Sequence, residues 1–98
     1  MPKLNPLSSP QIRSLVHQAA LEGDYEAVKE AYTMAKSLVP AGTDLWSWWL
    51  EGLEGLAQVG DQDLGLFVKF TREVVGIKPW GDLAPGGRQR LDELSLLT

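Results

Sequence analysis

Residues 45 to 59, Leu-Trp-Ser-Trp-Trp-Leu-Glu-Gly-Leu-Glu-Gly-Leu-Ala-Gln-Val, constrain the fold more than any other stretch. Ser47, Glu51, Glu54 and Gln58 recur at spacings of four, three and four, so on a helix they make one narrow polar stripe. Nearly all of the remaining circumference is apolar. A helix of that kind must be covered on two or three sides, which places it at the centre of a small bundle. With 98 residues the chain has material for one domain and one modest core.

Charge and residue usage narrow the function classes. Nine basic residues against thirteen acidic ones give a net charge of −4. The closest basic pair, Arg88 and Arg90, is followed at once by Asp92 and Glu93, so the clustered cations that phosphate neutralisation needs are missing. No direct nucleic-acid binding is expected. The chain has no cysteine, which removes disulfides, thiolate catalysis and sulfur-ligated metals and suits a cytoplasmic setting. No apolar run is long enough for a signal peptide or a membrane span.

Residues 1 to 8, with Pro2 and Pro6 among polar neighbours, read as a flexible N-terminal arm, and 9 to 98 as a single helical domain. Ser9-Pro10 is a helix start, and helix 1 is expected from about 10 to 22 with Ile12, Leu15, Val16 and Ala19 inward. Gly23-Asp24 then predicts a tight hairpin into helix 2, about 24 to 38, which carries Tyr25, Val28, Tyr32, Ala35 and Val39 along one side. Pro40 and Gly42 end it. Thr43 or Asp44 caps helix 3, which runs to about 59. Gly60-Asp61 repeats the earlier punctuation and opens helix 4, about 61 to 75, with Leu66 and Phe70 displaced from its main apolar face. Residues 76 to 87 read as an ordered loop with Trp80 tucked against the domain, and 88 to 97 as a short fifth helix.

The run from Gly23-Asp24-Tyr25 through Tyr32, Ala35 and Leu38 to Pro40 resembles the second half of a tetratricopeptide (TPR) repeat, without a gap. The unit from Trp49 through Gly60-Asp61 to 79 follows the pattern more loosely, at an interval of about 37 residues rather than 34. The resemblance implies an all-α, small TPR-like bundle of two stacked antiparallel helical hairpins plus a short C-terminal helix. It also implies a binding face lined by helices 1 and 3, with Arg13, His17 and Ala20 from the first and Leu50, Glu54 and Ala57 from the third.

Catalytic and metal chemistry find little support. His17 is the sole histidine, so no imidazole pair and no Cys/His metal spacing exists. Gly86-Gly87-Arg88 has the glycines of a phosphate turn but lacks the lysine and hydroxyl of a P-loop. No cofactor and no metal are expected. Two glycines inside helix 3, Gly52 and Gly55, predict either close helix packing or a shallow groove beside Trp48. Trp48 in turn is either core or a partner-binding residue. The expected function is a non-enzymatic protein-protein interaction module, an adaptor or self-associating scaffold, that binds a partner peptide, a partner helix or a second copy of itself. Its candidate binding residues are Arg13, His17, Trp48, Leu50, Gly52 and Glu54. The alternative is a small acidic regulator or inhibitor of nucleic-acid machinery that acts by binding a basic protein partner.

Overall fold

The computed structural model describes residues 7, 9–42, 44–78 and 80–98. Five helices follow one another: α1 (Pro10–Glu22), α2 (Tyr25–Leu38), α3 (Leu45–Gln58), α4 (Leu64–Val74) and α5 (Pro85–Leu96). Among the described residues there is no strand.

Local chemistry sets where each helix begins and ends. Gly23 takes a left-handed φ of 65° that most residues avoid, and its N–H donates to the Ala19 carbonyl at 2.8 Å. Asp24 then accepts from the Glu26 amide at 2.9 Å, so two residues reverse the chain. Asp44 caps α3 by accepting from the Trp46 amide at 3.2 Å. Thr43, the other cap candidate, lies outside the described residues. Ser9 stands at the start of α1 but makes no side-chain capping bond; Pro10 in the first turn and the Ser9 carbonyl, which accepts from the Arg13 amide, open that helix instead.

Three boundaries differ from the sequence expectation. Leu7, assigned to the mobile arm, is wholly buried in the core, while residues 1–6 and 8 lie outside the described residues. Helix α4 begins at Leu64 rather than 61, because the Asp61 side chain accepts from the Asp63 amide at 2.8 Å and holds these residues in a turn. Helix α5 begins at Pro85 rather than 88, since proline suits a first turn whose amides lack helical partners anyway. Gly87, in that first turn, lets α5 approach closely: a Cβ there would stand 3.2 Å from Leu83 Cδ2 and 3.4 Å from Leu50 Cδ1. Gly87 therefore serves packing against α3, whereas a Cβ at Gly86 would meet nothing within 4 Å.

Cross-helix contacts define the topology. Pro10 and Ser14 share a groove with Met34, so α1 and α2 run antiparallel. Arg13 lies over Phe67 while Ala19 shares a groove with Phe70 and Val74, so α1 and α4 run parallel. Trp49 reaches Thr71 across the short turn between α3 and α4, which are antiparallel. Leu50 stands beside Gly87, and Glu54 pairs with Arg90, so α5 runs parallel to α3. Helix α4 packs on α1, α3 and α5. The stacking therefore differs from the expected one, in which helices 1 and 3 line a common face; α4 is the helix laid along α1.

The join between the α2 side and the α3 side is made by Trp80 rather than by helix-on-helix packing. Its ring meets Tyr32 at 5.1 Å, Trp46 at 5.2 Å, Phe70 at 5.6 Å and Trp49 at 5.7 Å between centroids. The Trp80 carbonyl accepts from Trp46 Nε1 at 3.0 Å. Trp49 Nε1 donates to Thr71 Oγ1 at 2.8 Å, which itself donates to the Phe67 carbonyl at 2.8 Å, so this buried polar chain is satisfied from end to end. The Trp80 indole N–H has no acceptor among the described residues. An unmet buried donor costs about 1–3 kcal/mol, so the ring packing outweighs it.

Trp80→Ala is expected to lower stability by about 3–5 kcal/mol, the range for deleting a buried large aromatic, as read by urea denaturation. Trp80→Phe keeps an aromatic ring and removes the unmet N–H, and should cost less than half as much. Equal losses for the two variants would show that ring packing at this position is not what joins the halves.

Candidate functional site

The structure separates the six candidate binding residues into surface and interior. Trp48 is 8% exposed, Leu50 1%, and Gly52 is buried. All three belong to the core, because α3 is enclosed by α4, α5 and the Trp80 loop. Of the two alternatives for this stretch, close packing agrees with the burial of Trp48 and Gly52, and α4 rather than α3 packs along α1. Of the companions the resemblance suggested, Ala20 is buried and Ala57 half-buried.

Glu54 and Arg13 reach the surface but are held by internal partners. Arg90 Nε donates to Glu54 Oε2 at 3.1 Å, with a second bond from Nη2 to Oε1. That hydrogen bonding raises the Arg90 pKa further above its ordinary value, so the guanidinium stays charged at any working pH. Arg13 Nη2 donates to both Asp61 oxygens at 2.8 and 2.9 Å and to Asp63 Oδ2 at 3.2 Å, and its guanidinium sits 4.8 Å above the Phe67 ring. Both residues are fasteners: one pins α3 to α5, the other pins α1 to the turn before α4.

His17 is half-buried, with no hydrogen bond to its ring among the described residues. It lines a groove of about 510 Å³ along the flank of α1, formed with Pro10, Arg13, Ser14, Gln18, Leu21, Glu22 and Asp63. A second groove, about 350 Å³, lies at the α1–α2 corner between Ala19, Gly23, Tyr25, Val28, Phe70, Glu73, Val74 and Ile77. Leu21 and Tyr25 stand on either side of the Gly23-Asp24 turn, 62% and 66% exposed, one in each groove. The helical side that Tyr25 shares with Val28 and Tyr32 does not predict this: Val28 is buried, whereas Tyr25, at the first position of α2, is 66% exposed.

The opposite end carries a smaller groove, about 290 Å³, lined by Glu54, Ala57, Arg90, Glu93, Leu94 and Leu97, with Val59, Leu96 and Leu97 exposed. Among the described residues no group of three or more His, Cys, Asp or Glu is placed to hold a metal, and no helix is long and apolar enough to cross a membrane. Comparison with family models, characterised proteins and solved structures finds no significant match to this chain.

Asp61 is the carboxylate through which stability is expected to respond to acid. The Asp63 backbone N–H, and after it the Arg13 guanidinium, hold its carboxyl below the usual value. A depressed folded pKa contributes stability above the unfolded value, about 3.9, and loses it as pH falls through the folded value. Urea midpoints are therefore expected to drop below about pH 4, and Asp61→Asn should flatten that drop. Parallel losses in both proteins down to pH 2 would assign the acid sensitivity to other carboxylates.

Proposed function

We propose that the chain is a non-enzymatic protein-interaction module, an adaptor, whose partner is a peptide or helix docked at the α1–α2 corner. The observation that carries the reading is the pair Leu21 and Tyr25, each about two-thirds exposed and each lining a groove. Covering a large apolar side chain contributes roughly 1.5–3 kcal/mol, and tyrosine in particular supplies interface contact at little entropic cost. A partner that buries both gains the hydrophobic anchor around which interfaces are built. The TPR-like grammar of the Gly23–Pro40 hairpin supports the same reading, and the lack of cysteine suits a cytoplasmic setting.

Substitution at exposed positions tests this without disturbing the core. Leu21→Ser with Tyr25→Ala should leave the far-ultraviolet circular dichroism and the urea midpoint nearly unchanged. Affinity capture from lysate with quantitative mass spectrometry should then show specific proteins retained by the natural chain and depleted at least tenfold on the double variant. Identical retention by both would remove the corner as the interaction surface.

A further inference from the structure

The corner groove also carries a charge that points to the chemistry of its occupant. Its floor is apolar: Ala19, Val28, Phe70 and Val74 are buried, and Phe70 is backed by the Trp49 and Trp80 rings. Ile77 and the Tyr25 ring form the rim. Glu73 is the single acidic or basic residue in the lining, and its carboxylate has no hydrogen bond or ion pair among the described residues. The four described arginines are each tied to a carboxylate: Arg13 to Asp61 and Asp63, Arg72 to Asp92, Arg88 to Asp82 and Arg90 to Glu54. Glu73 is a carboxylate with no described partner at the edge of an apolar trough that Tyr25 also lines.

A cation on an aliphatic stem fits that arrangement. The stem of a lysine or arginine would have Val74 and Ile77 to lie along and Glu73 to pair with, in a groove that Tyr25 also lines. A neighbouring leucine or similar side chain of the same segment fills the floor over Val28 and Phe70. We propose that the groove receives a basic amphipathic segment of a partner protein, with an aliphatic anchor in the trough and a lysine or arginine paired to Glu73. This rests on the interaction-module reading and adds the sign and spacing of the partner's chemistry. An exposed pair changes affinity by only about two- to fivefold, so the anchor supplies most of the binding and Glu73 the discrimination.

Two synthetic helical peptides with the same leucine spacing, one with lysines on the polar face and one with glutamates, test the assignment on the unaltered protein. Methyl resonances of Val28, Val74 and Ile77, and of Leu96 and Leu97, are followed by carbon-13 NMR during titration. The lysine peptide should shift the Val28, Val74 and Ile77 methyls to saturation, the glutamate peptide about fivefold more weakly, and Glu73→Lys should reverse that preference. Equal binding of the two peptides, or shifts confined to the Leu96 and Leu97 end, overturns the proposal. So does n-hexylamine saturating the same methyls as tightly as the lysine peptide, which makes the trough a small-amine site. Capture of a partner that depends on Leu21 and Tyr25, together with failure of the lysine peptide, removes this proposal and leaves the module reading standing.

Discussion

Trp80 is the contact on which the two halves of the molecule depend. It sits in the connection between α4 and α5, yet it touches side chains from α2, α3 and α4 at once, with four ring centroids within 5.8 Å. Aromatic rings prefer edge-to-face or tilted contacts over flat stacking, and three of these four are edge-to-face. A single large side chain inserted this way lets α2 and α3 share a core without strong packing against each other. Its cost is one buried N–H without an acceptor among the described residues.

Two ion pairs fix what the aromatic cluster leaves free. Arg13 ties α1 to the Asp61–Asp63 turn and so sets the register of α1 along α4. Glu54 and Arg90 set α5 along α3. Arg13 and Glu54, natural candidates for ligand contact, are therefore consumed in holding helices together. Leu21 and Tyr25 stay exposed where α1 turns into α2, because a two-residue turn leaves no helix to cover them.

How much of this was legible in the sequence follows the range of the interactions. The hairpin at Gly23-Asp24, the cap at Asp44, the stop at Gly60 and the polar stripe of α3 are all decided within four or five residues, and each reads directly from residue type and spacing. Phe70 shows where that stops. Placed off the main face of α4 by periodicity, it is 1% exposed because Trp80 and Trp49, distant in sequence, close over it. Trp48 and Gly52 show the same for the candidate site: periodicity put them on a second apolar face, and only the position of the surrounding helices decided that this face is interior.

The sequence by itself determined an all-helical chain, five helices, their order and most of their boundaries, because helix starts, stops and amphipathic faces are local consequences of side-chain chemistry. The tertiary structure alone decided that α4 rather than α3 lies along α1, that Arg13 and Glu54 are fasteners, and that Leu21 and Tyr25, like Val59, Leu96 and Leu97, stay exposed. Those outcomes depend on which apolar faces meet, and many pairings of amphipathic helices satisfy the same local pattern. Only the filling of one common core by Trp49, Phe67, Phe70 and Trp80 selects among them.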